Sequence, residues 1–449
     1  MSLGADLPVT SGCIPEDLVT FRDRLDPSWI EAALEATGTA TLRRRRLPAE
    51  QVLWLVIGIA LIRNRRIEEV AFKLDLALPV PSGKPVAPAS IPPARERLGE
   101  EPVKWLFERT GKVWAAEGAN EQRWRGLAVY GIDGTTLRVA DSPENRTTFG
   151  GQRAGLARSE SGYPMVRVLG LMALRSHVLA GAAVGAYATT SEISLAPDLC
   201  RQVPDDSLTI LDRNFLTPTI LHPLARDGRN RQWMTRAKST TSFRVTQSLG
   251  PGDDLVEMQV TKEARKRDPT LGKTWSARAI RYQRNGHRPQ LLLTSLLDPK
   301  RYPASEMADM YHERWEIELG YGEIKTDLLN RMESLRSKKP DGVRQEVWGV
   351  LLAYNLVRLE IARIAREVGV PPIRISFVLA LATICDEWMW TADTIAPGAV
   401  PKHLVQMREK LLRLVIPPRR PERSFPRAVK VKMSNYKRKR PVTLVDGLK

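Results

Sequence analysis

Two short apolar segments of this chain end in the same way: "VYGID" closes on Asp133 and "LTILD" on Asp212. Runs of this length, rich in β-branched and aromatic residues, read as buried strands. A lone aspartate at the end of such a strand puts a charge at the rim of a sheet, which is costly unless something cationic sits with it. One reading is a sheet with acids on its rim. The plain alternative is that each aspartate begins a turn, Asp133 especially, with Gly134 behind it.

The surrounding pattern is α/β. "GLAVYGIDGTTLRVA" predicts a strand, a turn at Gly134 and a second strand. "MVRVLGLMAL" and "HVLAGAAVGA" predict two more strands, and "SEISLAPDLC" a helix leading to "SLTILDRNF". Residues about 239–289 alternate in polarity, with turn punctuation at "GPGDD" and "RNGHR". A buried strand, "QLLLTSLLD", and an acidic helix, "YHERWEIELGYGEIK", follow. This order predicts a catalytic α/β region over 119–335 with a β-rich insertion at about 239–289.

Residues 1–118 predict a helical N-terminal domain. Pro48 is placed to open a helix carrying "VLWLVIGIALI", an apolar run too short to span a bilayer and expected to be buried. "RIEEVAFKLDLAL" predicts a second short helix. After the Pro-rich "PVPSGKPVAPAS", Ser90 is expected to cap a helix bearing Arg95 and Arg97. These helices fit either a helix-turn-helix-like DNA-binding module, contacting DNA through Arg95 and Arg97, or a plain bundle with a charged face. Residues 336–449 predict a helical C-terminal region ending in a basic arm. The helix at 346–369 is expected to pack on the catalytic sheet. "RRPERSFPRAVKVKMSNYKRKR", Arg419 to Arg440, holds ten Lys/Arg against one Glu and suits an arm laid along phosphates, or a solubilising tail.

Charge points the same way. The net charge of +18, from 69 basic and 51 acidic residues, suits an anionic polymer such as nucleic acid. Cys13, Cys200 and Cys385 are too few and too scattered for a disulfide framework or a thiolate metal site. With no signal segment read at the N-terminus, the expected compartment is the cytoplasm, with no membrane partner.

The acidic helix carries the chemistry. On a regular wheel, Tyr311, Arg314, Glu318 and Lys325 fall within an arc of roughly 60°, and Glu313, Glu316 and Glu323 fall elsewhere. One carboxylate thus shares a stripe with a phenol and two cations, as a metal-and-phosphate site requires. An ordinary surface stripe with one Glu–Arg pair has the same pattern. Asp133, Asp212 and Glu318 together can converge on a pair of divalent cations, since hard oxygen donors suit Mg²⁺ or Mn²⁺.

These blocks resemble bacterial DDE transposases of the insertion-sequence-4 family. That family's signature is Tyr, two residues, Arg, three residues, Glu, six residues, Lys. Tyr311, Arg314, Glu318 and Lys325 match every spacing. "YGIDGTTLRVADSPEN" and "LTILDRNF" match its two aspartate blocks, and "LPAEQVLWLVIGIALIRNRRIEEVAFKL" its N-terminal domain. The resemblance implies a ribonuclease H-like catalytic core and a Mg²⁺- or Mn²⁺-dependent transposase with two ions per active site. Asp133, Asp212 and Glu318 would be the catalytic metal ligands. Tyr311, Arg314, Lys325 and Arg213 would grip phosphates. Trp315 and, less directly, Trp275 would support an unstacked base. It also implies double-stranded DNA partners, both transposon ends and target, a homodimer bridging two ends, and association with the nucleoid when bound. A hairpin intermediate is one route by which such enzymes excise. Two other readings stay open at this stage: a catalytically silent DNA-binding copy that inhibits transposition, and a structure-specific nuclease on the same fold.

Overall fold

The computed structural model describes residues 25–39, 47–73, 87–153, 160–284, 288–331, 334–393 and 415–416. Its axis is β1 (Ala128–Arg138), whose first half, "AVYGI", is wholly buried. The turn expected at Gly134 is not there. Gly134 pairs with Leu169 and the ladder runs on through Arg138, because Thr135, Thr136 and Leu137 all suit an extended strand. Glycine serves close approach here: a Cβ would lie 2.2 Å from Glu192 Oε1.

The other strands are β2 (Gly151–Arg153), β3 (Glu160–Ala173), β4 (Leu179–Ala186), β5 (Ser207–Leu211), β6 (Arg231–Arg236), β7 (Arg244–Gly250), β8 (Asp253–Gln259), β9 (Thr274–Tyr282) and β10 (Gln290–Thr294). The order across the sheet is β4-β3-β1-β5-β6-β10-β9-β8-β7, with β2 on the start of β3. β3 is antiparallel to β1 and β4, whereas β5 is parallel to β1 and to β6. Every residue of β5 is buried, as a strand covered on both faces should be. The β-rich insertion extends this same sheet: β9 pairs with β10, and β7 and β8 turn at "GPGDD". Arg278, fully buried on β9, chelates Asp253 of β8 and donates to the Tyr302 carbonyl at 2.7 Å, tying the insertion to the chain beyond β10. Residues 285–287 of "RNGHR" lie outside the described residues.

All described elements before β1 are helical: α1 (Pro27–Ala36), α2 (Ala49–Leu61), α3 (Ile67–Lys73), α4 (Ile91–Leu98) and α5 (Glu101–Glu121), with one 3₁₀ turn before α4. The apolar run is α2, buried from Val52 to Leu61. Ser90 does not cap α4; its hydroxyl donates back to the Ala87 carbonyl at 2.7 Å. Gly99, at φ 69°, breaks the expected single helix into α4 and α5. α5 runs through position 118 and packs on β4.

Later helices are α6 (Pro143–Phe149), α7 (Glu192–Cys200), α8 (Pro218–Arg226), α9 (Lys262–Arg267), α10 (Ala304–His312), α11 (Trp315–Gly322), α12 (Pro340–Val368) and α13 (Phe377–Asp393). α12 packs chiefly against α2 and α5 rather than on the sheet. Gly349 brings it against α2, where a Cβ would meet Val56 Cγ1 at 2.6 Å. One apolar core therefore runs from the N-terminal helices through α12 to the sheet. No helix among the described residues is long and apolar enough to cross a membrane.

Candidate active site

The parallel register of β1 and β5 sets the site. Ile132 pairs with Leu211, so Asp133 and Asp212 are the next residues on neighbouring strands. Leu211 likewise pairs with Thr235 of β6, so Arg236 follows Asp212. Acid, acid and cation thus stand in a row across three neighbouring strands, Asp133 midway along β1, Asp212 just past the end of β5 and Arg236 at the end of β6. Asp212 also accepts from the Arg213 amide at 2.7 Å, so it opens a 3₁₀ turn as well as closing a strand. Arg213 itself is exposed.

Asp133 is largely enclosed. Its Oδ1 accepts from the Gly134 amide at 2.8 Å and its Oδ2 from Arg314 Nη1 at 2.9 Å. Burial pushes the Asp133 carboxyl up to about 6; the Gly134 amide and Arg314 oppose this, and Glu192 and Asp212 add to it. The other arm of Arg314, Nη2, donates to Glu318 Oε1 at 2.6 Å. One planar guanidinium therefore joins two of the three acids. Burial works against the Arg314 cation, but Tyr311, Glu318 and Asp133 outweigh it. Tyr311 is buried nearby; burial pushes its hydroxyl up to about 12, with Arg314, Arg236 and Asp212 among the charges it feels.

The acidic segment is not one regular helix. α10 ends at His312, amide bonds to the third residue back tighten the turn through Arg314, and α11 begins at Trp315. From Glu323 to Leu328 the helix is π-type. The wheel therefore holds for Arg314 and Glu318, one turn apart, but does not carry through to Lys325, which lies exposed on the π-helical turn. Such π segments recur where a side chain must be re-aimed.

The three remaining glutamates are all paired inward. Glu313 chelates Arg175 at 2.8 and 2.9 Å. Glu316 accepts from His177 Nε2 at 3.0 Å. Glu323 accepts from Tyr354 at 2.8 Å and from Arg358, whose Nη2 also donates to His177 Nδ1 at 2.7 Å. With Nδ1 accepting, Nε2 carries the proton given to Glu316. His177 holds a left-handed backbone, φ 61°, to reach this position. None of these partners was legible in the sequence. Arg236 and Glu192 were missed for the same reason, although each lies beside a recognised acid once the strands are paired.

Trp315 is 41% exposed, with the Arg314 guanidinium 5.6 Å from its ring centre. Trp275 instead packs on Trp233, ring centres 5.5 Å apart. Arg95, expected to face DNA, is turned inward: its Nε donates to Gln345 Oε1 at 2.9 Å and its Nη2 to Ser337 at 3.3 Å. Arg97 is exposed. The basic arm from Arg419 to Arg440 and the side chains of Trp388 and Trp390 lie outside the described residues.

Comparisons with known proteins identify the family. A family model described as insertion element 4 transposase N-terminal matches residues 15–108, and one described as transposase DDE domain matches residues 124–356. The transposase InsG for insertion sequence element IS4 of Escherichia coli K12 is 37% identical over 440 residues, 97% of this chain and 98% of the relative. The chain belongs to the IS4 family of DDE transposases. It is an enzyme of DNA cleavage and strand transfer. The putative transposase InsZ of the same strain is 34% identical over half of this chain and 73% of its own length. A fainter likeness is to the piggyBac transposase in a synaptic complex with hairpin DNA: 12% identity, TM-score 0.41, 90% of this chain and 86% of the other. At that score it bears on neither fold nor mechanism.

A DDE transposase depends on divalent metal. Among the described residues, no three acidic, histidine or cysteine side chains stand together as an ion would need. The Arg314 guanidinium lies between Asp133 and Glu318 and is bonded to both. The donor set nonetheless fits: carboxylate oxygens only, two already drawn to one positive charge, and the third on the adjoining strand.

Tyr321 fixes the backbone under Asp133, donating to its carbonyl at 2.7 Å. Gly170, opposite Asp133 on β3, leaves room for that hydroxyl; a Cβ there would lie 2.6 Å from it. Gly170→Ala is expected to cost about 1–3 kcal/mol of stability and to slow cleavage by displacing Tyr321. Chemical denaturation and single-turnover cleavage measure the two effects, and a variant unchanged in both contradicts the tight packing.

Proposed function

We propose that Asp133, Asp212 and Glu318 bind two Mg²⁺ or Mn²⁺ ions on a ribonuclease H-like core and cut DNA at the terminal inverted repeats of an insertion sequence, then join the ends to target DNA. The observation that carries this reading is the shared guanidinium: Arg314 draws Asp133 and Glu318 to one point, beside the strand end that bears Asp212. The strand order supports it, with three antiparallel strands followed by two parallel ones.

Bound ions supply Lewis-acid polarisation of the scissile phosphate and a lowered pKa for attacking water. The remaining roles belong to side chains. Arg314 is a planar fork suited to a phosphate when DNA enters. Lys325 and Arg213, both exposed, flank the acids as further phosphate contacts. Tyr311 adds a hydroxyl held protonated at neutral pH. Trp315, 41% exposed, supports an unstacked base. The helical region before β1 contacts the duplex through the face that bears Arg97. Two copies bridge the two ends, in the cytoplasm and on nucleoid DNA.

Labelled terminal-repeat duplex incubated with the protein and Mg²⁺ tests this. Nicks at the element boundary followed by joined products are expected. Retardation without cutting would point to a silent DNA-binding copy, and cutting without joining to a nuclease. A hairpin band would fix the excision route.

A further inference from the structure

Away from the acids, a cavity of about 550 Å³ opens between the turn joining α2 to α3 and the loop after the π-helical turn. Its walls carry four arginines, Arg63, Arg65, Arg66 and Arg336, with Asn64 and Asn330, and Glu68 is the acid among them. We infer that this cavity is a phosphate subsite for the DNA duplex, set apart from the cleavage centre. The inference rests on the function proposed above and adds a second point of grip to it.

The cavity is built rather than incidental. Arg63 is 2% exposed, and its Nη1 is paired with the buried Glu346. Glu346 also accepts from the Arg336 amide at 3.0 Å, and from the Ser337 amide and hydroxyl at 3.0 and 2.8 Å. This carboxylate clamps the loop to the α2–α3 turn. Arg336 completes the joint by donating to the Arg65 carbonyl at 2.8 Å. The Nε of Arg63, though buried, meets no acceptor among the described residues. A buried donor left unmatched costs free energy, and an acceptor entering the cavity would recover it. Asn330 and Arg331 are both left-handed, φ 50° and 53°, so the backbone at the cavity mouth is held in a conformation that side chains disfavour.

Register gives the spacing. The Leu335 amide donates to the carbonyl of Arg138, so this loop lies at the far end of β1 from Ala128. From Asp133 to Arg138 the strand advances on the order of 17 Å. The cavity is therefore displaced from the acids in the direction in which β1 runs. A phosphate is the anion whose geometry an arginine fork matches, and DNA is the anion this enzyme must hold.

Arg65 and Arg66 are exposed, so they can be changed without disturbing the buried joint. The double variant Arg65→Gln/Arg66→Gln is expected to bind terminal-repeat duplex about tenfold more weakly at moderate salt. Its plot of log affinity against log salt should be shallower by about one to two, at about 0.9 per lost phosphate contact. Glu68→Gln should bind more tightly. Arg201→Gln, an exposed arginine on the Asp198 pair, should match the unaltered protein. Ethylation interference should show phosphates whose modification weakens the unaltered protein but not the Arg65→Gln/Arg66→Gln variant, away from the cleaved bond. An unchanged slope in the double variant, or a fall of equal size in Arg201→Gln, overturns the subsite. Cutting by the unaltered chain is scored in the same lanes. A shallower slope without cutting would keep the subsite and discard the proposed function, and normal cutting with an unchanged slope would do the reverse.

Discussion

Glu318→Gln is expected to abolish strand cleavage, by about a thousandfold or more, while DNA binding and folding persist. The two losses separate because the carboxylate does two unequal jobs. Toward Arg314 it is one arm of a pair whose glutamate side is 36% exposed, and such pairs contribute at most about 1 kcal/mol. Toward a divalent ion it is one of three hard donors, and a neutral amide binds such an ion poorly. A thousandfold loss corresponds to about 4 kcal/mol of barrier. The shape of the site survives, because Arg314 keeps its bond to Asp133 and the cations proposed to contact phosphate are untouched. Retarded bands of normal intensity with no nicked product are the expected result. Normal cutting by Glu318→Gln would remove Glu318 from the metal site and leave Asp133 and Asp212 in need of a different third acid, for which Glu192 is the nearest candidate.

The acids and the Tyr-Arg-Glu-Lys spacing were legible because they depend on local order. The apolar run before Asp212 ends where β5 ends, whereas β1 runs on past Asp133 to Arg138; Arg314 meets Glu318 because they lie one helical turn apart. The sheet between them followed from alternation and turn residues, except at Gly134. There the sequence offers the same residue for a turn and for a close approach, and only Glu192, packed over the strand, decides. What stayed hidden depends on distant partners. Glu313, Glu316 and Glu323 look like solvated charges, yet their partners stand 138, 139 and 35 residues away. Arg95 looked like a surface contact for the same reason, since Gln345 lies 250 residues on. Charge on a helix face announces a site or an ion pair equally well, and the choice is made by what the rest of the chain brings to it.

Arg358→Met should destabilise the protein by about 3–5 kcal/mol, because it strands the buried Glu323 carboxylate. Arg358 is 1% exposed and carries the charge between Glu323 and His177. The rings of Phe377 and Tyr354 lie 5.2 and 5.9 Å from its guanidinium carbon and shield it from water. Burial alone would raise the Glu323 carboxyl, but Arg358 and His177 pull it down to about 2. Against an ordinary value of 4.5, that depression contributes about 3 kcal/mol, fully present above pH 4.5 and lost as pH falls toward 2. Denaturant midpoints followed through that range should drop steeply in the unaltered protein, and the drop should be lost or reversed in Arg358→Met, where the stranded carboxylate gains by taking up a proton. Adding Glu323→Gln to Arg358→Met should restore much of the loss, since no buried charge then lacks its counter-charge. Equal stability in the single and double variants would mean that Glu323 finds water or another cation. The effect reaches catalysis through position: Glu323 opens the π-helical turn, five residues after Glu318 and two before Lys325. A network that fixes Glu323 fixes the pitch between Glu318 and Lys325, the residues proposed to hold metal and phosphate. Arg358→Met protein that still folds should therefore bind DNA and cut it poorly, with lower affinity for Mg²⁺ in the cleavage titration.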